Sequence, residues 1–208
     1  QIVAALIESP RRYTELKSAS KLSDRWLAQK LKKLTSAGVV ELRNGKYCLT
    51  KPSIVSGDPL MTGYLRTRTS PLGKARLIAE ELSQNPQILA IVLFGSVGKG
   101  EETAESDIDF LIITKGKVYL NDEVYELMFK YDVPVEAIFM DFDELLSNVR
   151  AKTTFLLGVL EGYKVLYDRA GVEQILSFLK EQVNEEFAYD KEAGAWLLRS
   201  KRPTSTRP

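Results

Sequence analysis

Along the first fifty residues the apolar positions change period once. Ile2 to Ser9 reads as a short helix stopped by Pro10, and Arg12 to Ser18 as a second. Leu27, Leu31 and Leu34 recur at helical spacing and mark one face of a third helix, from Asp24 to about Ser36. Ser23 is placed to cap its start, and Gly38 falls just past its end. The period then drops to two. Val40 and Leu42 alternate with Val39, Glu41 and Arg43, and Lys46 to Thr50 returns as a second strand. Asn44-Gly45 between them is a hairpin turn, because both central positions of a type I′ turn need positive φ.

Residues 51–70 carry Gly, Pro, Ser and Thr without a period and read as a linker, with one short ordered piece around Pro59 to Leu65. Helical spacing resumes from Leu72 to Ser83, and Asn85-Pro86 breaks it. Ile88 to Phe94 is a continuous apolar run of strand length, the pattern of a strand buried on both faces. Phe110 to Ile113 reads as a second buried strand, Asn121 to Tyr131 as a helix, and Val133 to Met140 as a third strand. Thr153 to Leu160 and Gly171 to Phe187 are helical, with a strand at Tyr163 to Tyr167 between them. The expected organisation is mixed α/β: a small domain at 1–51, a linker at 52–70, a sheet flanked by helices at 71–199, and a polar tail at 200–208.

Composition narrows the chemistry. The 208 residues contain no histidine and one cysteine, Cys48. Histidine-dependent nucleophilic catalysis, His-ligated zinc and an internal disulfide are thereby excluded. One cysteine fits a reducing, cytoplasmic setting, and Cys48 itself is expected to be a small buried residue. No apolar run is long enough to span a membrane. The start, Gln1-Ile2-Val3-Ala4-Ala5, has neither an initiator Met nor a secretory pattern, so a few native residues are expected ahead of it. The net charge of +1 hides an asymmetry: residues 1–50 hold ten Lys/Arg against four Asp/Glu, and residues 51–208 hold nineteen against twenty-four. A basic head on an acidic body points to two domains with different partners.

The order helix, helix, helix, hairpin, with the stretch LSDRWLAQKLKKLTSAGVVELRNGKYCLT, resembles the winged helix-turn-helix family over residues 1 to about 51. The resemblance implies that the third helix enters a DNA major groove, with Arg25, Gln29, Lys30 and Lys33 outward and Arg43 and Lys46 at the wing. Such a basic surface would bind DNA in a strongly salt-dependent way. An ordinary solvated helix face explains the same lysines.

Gly95-Ser96 ends the first apolar strand, where glycine lets a phosphate approach the backbone and the serine hydroxyl adds a donor. Ten residues later comes Ser106-Asp107-Ile108-Asp109. In a strand, positions i and i+2 share a face, so Asp107 and Asp109 project together. Two such charges about 4 Å apart repel by roughly 4 kcal/mol at an effective dielectric near 20. A divalent cation offsets that repulsion, and carboxylates are the hard oxygen ligands magnesium takes. Glu136, in the middle of the third strand, is the expected third carboxylate, since a lone glutamate among apolar neighbours is costly unless paired or metal-bound. Asp141 is the alternative, although it also fits a helix N-cap ahead of Asp143-Glu144.

The residues GSVGKGEETAESDID resemble the G-S-x-A-R-G…S-D-I-D pattern of the polymerase-β-like nucleotidyltransferases, especially the minimal nucleotidyltransferases of bacteria and archaea. The resemblance covers about residues 72 to 168. It implies that Gly95, Ser96 and Lys99 bind a nucleoside triphosphate, expected to be ATP, and that Asp107, Asp109 and Glu136 hold two magnesium ions. It implies transfer of a nucleoside monophosphate, expected to be AMP, to an acceptor hydroxyl by two-metal catalysis. Gly98 stands where the family has Ala, and Lys99 where it has Arg, which keeps the charge and loses the bidentate fork. The alternative function is a DNA-binding regulator or antitoxin-like protein that binds nucleotide without turnover. Candidate partners are the triphosphate, DNA, a separate helical protein and a second copy of the chain.

Overall fold

The computed structural model describes residues 1–50, 63, 69–190 and 193–199. The expected ordered piece at 59–65, apart from Gly63, and Arg66, Arg68 and the tail at 200–208 lie outside the described residues.

The chain opens with three helices: α1 (Ile2–Glu8), α2 (Tyr13–Ser20) and α3 (Asp24–Ser36). Ser23 caps α3 by accepting from the Trp26 N–H at 3.5 Å. An antiparallel hairpin follows, β1 (Val40–Arg43) and β2 (Lys46–Leu49), with Arg43 opposite Lys46. Asn44 and Gly45 both have positive φ, 49° and 74°, as this turn requires. Arg11 and Tyr47 exchange backbone hydrogen bonds at 2.9 and 2.8 Å, which ties the hairpin to the α1–α2 connection. Ile2, Leu6, Leu16, Leu27, Leu31 and Val40 form a small core. Leu42, expected to share the inward face of Val40, is instead 58% exposed. Helices α1 and α3 back these four-residue strands, and no second layer among the described residues covers the turn end of the hairpin. Cys48 is half-buried rather than buried.

The head is fastened to the rest through α4 (Pro71–Leu82). The Glu8 carboxylate accepts from the Ser70 N–H at 2.9 Å and the Ser70 hydroxyl at 2.5 Å, at the N-terminus of α4. The Arg76 guanidinium donates back to the Ile7 carbonyl at 3.2 Å and to the Glu8 carbonyl. Ile7 is buried in the main core beside Ala75 and Ile78. The end of α1 thus meets both polar and apolar partners on α4.

The main sheet has the order β5-β4-β3-β6. Its strands are β3 (Ile88–Phe94), β4 (Ile108–Thr114), β5 (Val135–Asp141) and β6 (Lys164–Asp168). β3 is antiparallel to β4 and β6, and β4 is parallel to β5. The parallel crossover is α6 (Asn121–Tyr131), and α5 (Gly95–Lys99) follows β3 directly. Helices α7 (Phe142–Ala151), α8 (Thr154–Glu161) and α9 (Val172–Glu186) complete the body. The apolar runs split by alternation. Ile91, Leu93, Phe110 and Ile112 pack with α4 and α6, whereas Ala90, Val92, Leu111 and Ile113 pack with α7, α8 and α9. A strand that serves two cores must be apolar at every position, which is why Ile88 to Phe94 is. A hairpin of β7 (Phe187–Asp190) and β8 (Ala195–Leu198) follows α9; it was not expected, although Gly194, at φ 60°, directly precedes β8. The Trp196 indole N–H donates to the Leu157 carbonyl at 2.8 Å and pins this hairpin to α8. Among the described residues no helix is long and apolar enough to cross a membrane.

Candidate active site

Three neighbouring strands bring the predicted residues to one end of the sheet. Phe94, the last residue of β3, lies opposite Asp109 on β4, and Asp109 lies opposite Glu136 on β5. Gly95 therefore turns off β3 beside the first of the strand carboxylates. It does so at φ +65°, and a Cβ at this position would overlap the Asp109 carboxylate. Only glycine meets both demands at once. Asp107 lies two residues before Asp109, just ahead of β4.

Asp109 is half-buried, whereas Asp107 and Glu136 are exposed. Burial raises the Asp109 carboxyl above its ordinary value, and the charges of Glu136 and then Asp107 push it further the same way. Each of the three is an oxygen donor, and two of them act on the third through space. Among the described residues no group of three is already drawn together to hold a metal ion. Glu136 was expected to be enclosed by apolar neighbours. It is exposed because β5 is the edge strand of the sheet, so it carries no burial penalty. Asp141 sits at the other end of β5, opposite Thr114, about 16 Å from Glu136 at ~3.3 Å per residue. Its carboxylate caps α7 by accepting from the Glu144 N–H at 2.8 Å, and Glu144 returns a contact to the Asp141 N–H at 3.1 Å.

Helix α5 is fixed from behind. Gly98 is buried, and a Cβ there would stand 2.8 Å from the Gly162 carbonyl oxygen and 2.9 Å from that of Leu93. A glycine in place of alanine follows from this backbone contact. The Lys164 ammonium donates to the carbonyls of Val97, at 3.1 Å, and Gly98. The Lys152 ammonium pairs with Glu186 at 2.7 Å. Lys99 extends from the C-terminal end of α5 and forms an ion pair with Glu161. Ser96 is half-buried in the first turn of α5, next to Gly95.

The candidate DNA-contacting residues in the head, Arg25, Gln29, Lys30 and Lys33 on α3 and Arg43 and Lys46 at the hairpin, are all exposed. Arg43 pairs with Glu41 at 2.6 Å. Trp26, on the same helix, is 57% exposed and was missed. Its position off the Leu27, Leu31, Leu34 stripe was the available signal.

The polymerase β nucleotidyltransferase model matches residues 77–171, from within α4 to just past β6. Over 84 residues the chain is 42% identical to a Methanocaldococcus jannaschii protein named "Putative protein adenylyltransferase", and it spans 80% of that protein. The chain belongs to the polymerase β nucleotidyltransferase family. A second Methanocaldococcus jannaschii protein of the same name is 32% identical over 91 residues, and the chain spans 60% of its length. Both matches take in 39% of this chain. A solved toxin-antitoxin structure with AMP-PNP overlays at a TM-score of 0.38 and 17% identity, covering 54% of this chain and 86% of that one. Asp107, Asp109, Glu136, Gly95 and Ser96 all fall inside the nucleotidyltransferase match, and the head at residues 1–50 falls outside it.

Proposed function

We propose that this protein transfers AMP from ATP to an acceptor hydroxyl, with Asp107, Asp109 and Glu136 as the catalytic carboxylates. The observation that carries this reading is the register Phe94–Asp109–Glu136, which presses the Asp109 carboxylate against Gly95. Gly95 and Ser96 receive the triphosphate, because the backbone is bare there and the Ser96 hydroxyl has no side-chain hydrogen bond among the described residues. The three carboxylates suit magnesium in donor type and charge, and the mutual pressure on Asp109 is what a cation relieves. Bound magnesium would neutralise the phosphates and ease ionisation of the acceptor hydroxyl. Glu136 stands on the side of Asp109 away from Gly95, so the acceptor enters from β5 and the pyrophosphate leaves over α5. The acceptor oxygen bonds to the α-phosphorus, the bond to the β-phosphate oxygen breaks, and the hydroxyl proton passes through Glu136 to water.

That the relatives are named as protein adenylyltransferases supports ATP as donor and a protein as acceptor. Incubation with α-labelled ATP, magnesium and cell extract tests the reading. Label in a macromolecule with wild type, and none with the Asp107→Asn, Asp109→Asn double variant, is the expected result. Label from both proteins would falsify the site.

A second reading has its own support. The head carries three helices and a hairpin in winged-helix order, and α3 exposes Arg25, Gln29 and Lys33 beside Trp26. In this reading residues 1–51 form a winged helix that binds DNA, and 71–199 form the nucleotidyltransferase domain. A steep fall in duplex-DNA affinity with salt, reduced by Lys33→Ala, is expected from it. Both activities can reside in one chain.

A further inference from the structure

The two edges of the main sheet are finished differently. Strand β6, at one edge, begins with Lys164 and ends with Asp168, and its ladder with β3 slips register between Ile91 and Val92. Charged ends and a bulge keep an edge from pairing with another chain. Strand β5, at the other edge, runs in unbroken register with β4 from Val135 to Asp141 and contains no Lys or Pro. Val135, Ala137, Ile138 and Phe139 on it are half-buried.

The open side of β5 has a defined pattern. Ile108 lies opposite Val135, and its N–H donates to the Pro134 carbonyl at 3.0 Å. In a parallel ladder that bond turns the even-numbered residues of β5 toward β4. The N–H and C=O groups of Val135, Ala137 and Phe139 therefore point away from the sheet and have no strand partner among the described residues. The Asp141 N–H, next in this series, is taken by Glu144 at 3.1 Å. Outward residues arranged evenly about Ala137 are their own complement. An antiparallel copy sets Ala137 against Ala137 and Val135 against Phe139, and every outward N–H of these residues meets a carbonyl.

The helix over this edge is apolar on the matching side. Val124, Leu127 and Tyr131 of α6 pack in the core that Val135, Ala137 and Phe139 join. Lys130 pairs with Glu81 of α4 at 2.7 Å, so α4 lies along one flank of α6. Tyr125, about 140° around the helix from Lys130, and Phe129, one turn on from Tyr125, mark the other flank. They are 56% and 81% exposed. Tyr119, also exposed, meets the Phe139 ring edge-on at 6.1 Å and carries the aromatic surface down to β5. Contiguous apolar surface of this kind marks an interaction site.

We infer that a second copy of the chain docks here, β5 against β5 about a two-fold axis at Ala137, joining the two four-stranded sheets into one. Antiparallel pairing puts that axis normal to the sheet. Both α6 helices then lie on the same face, and the flanks bearing Tyr125 and Phe129 turn toward each other. Asp122 and Glu126, exposed on α6, stay at the rim, where salt screens them. On the opposite face Glu136 comes beside the partner's Ile138. On the nucleotidyltransfer reading, an acceptor reaches Glu136 across the partner's strand.

Sedimentation equilibrium of the full chain, without nucleotide and at micromolar concentration, is expected to give the mass of two chains. Phe129→Glu, at a position the single chain leaves in water, is expected to weaken association by at least about tenfold. Ala137→Pro is expected to do the same, because it removes an outward N–H and leaves the β4 ladder its bonds. Cross-linking fixes the register. In a Cys48→Ser background, Ala137→Cys is expected to give a disulfide-linked dimer, since Cα atoms of a hydrogen-bonded antiparallel pair stand about 5.5 Å apart. Val135→Cys is expected to give none, since its two copies are offset by about 13 Å along the strands. A one-chain mass at every concentration overturns the dimer. A dimer unmoved by both Phe129→Glu and Ala137→Pro overturns the interface, as does cross-linking through residue 135 in place of residue 137. No nucleotide enters these measurements, so their failure leaves nucleotidyl transfer untouched.

Discussion

The two ends of the main sheet use the same side chains to opposite effect. At one end, Asp141 and Asp168 terminate β5 and β6 and accept backbone N–H groups. Asp141 takes the Glu144 N–H, and Asp168 takes the N–H groups of Ala170, Val172 and Glu173 at 2.9 to 3.1 Å. At the other end, Asp109 sits between Gly95 and Glu136 with like charges as neighbours, and its carboxyl is driven up where that of Asp168 is held down. A carboxylate that closes a helix stabilises the fold. A carboxylate left to crowd others is a standing cost, and a protein keeps it for chemistry. The contrast separates structural from functional acids without reference to residue type.

The largest effect that can break this contrast is on activity. Asp107→Asn with Asp109→Asn is expected to lower nucleotidyl transfer by at least about a hundredfold, the scale of losing preorganised electrostatic partners. The same pair is expected to leave urea stability unchanged or higher, because it removes like-charge repulsion. A variant that unfolds instead would place these acids in the structural class. Gly95→Ala comes next. Its side chain must adopt φ near +65° and overlap the Asp109 carboxylate, so a loss of about 1–2 kcal/mol together with reduced transfer is expected in parallel urea and labelling assays.

Much of this end was legible in the chain because its signals are local. Ile88 to Phe94 appears as a strand with the same limits in sequence and structure, since a strand serving two cores shows it at every residue. Asp109 needs only strand alternation to be placed on its face of β4, whereas Asp107, expected in the same strand, lies just ahead of it. What was not legible depends on strand order and on partners distant in the chain. Glu136 looked enclosed by its apolar neighbours and is exposed, because nothing in β5 itself says that it is an edge. Lys99, expected at the triphosphate, pairs with Glu161, and Lys164 donates to the α5 carbonyls, each partner more than sixty residues away. Which of Glu136 and Asp141 lies beside Asp109 required the register, which puts them at opposite ends of the same strand.

At the end that holds Asp141 and Asp168 the expected effects are on stability alone. Asp168→Ala removes the acceptor for three N–H groups at the start of α9 and is expected to cost about 1–2 kcal/mol in urea unfolding. Asp141→Ala removes one side of a reciprocal cap and is expected to cost about 1 kcal/mol. Nucleotidyl transfer at full folding is expected to persist in both. Transfer lost in Asp141→Ala would return that residue to the catalytic set and dissolve the contrast between the ends.

The smallest effect is the pH dependence of the Asp168 contribution. Burial alone would raise this carboxyl, but the N–H groups of Glu173, Ala170, Val172 and Gly171 together outweigh it and hold the group below its ordinary value of 3.8. The folded state then binds the proton less readily than the unfolded chain does. Stability from this source is present in full above the ordinary value and drains away as pH falls through the depressed one. Above pH 5 the gap between wild type and Asp168→Ala is therefore expected to be flat. Below about pH 4 it is expected to narrow by less than about 1 kcal/mol as the carboxyl in the wild type protonates and its hydrogen bonds weaken. Urea midpoints for both proteins between pH 3 and pH 7 measure it. A gap that widens on acidification would mean that Asp168 is protonated in the native state. The two ends of the sheet would then hold their acids alike.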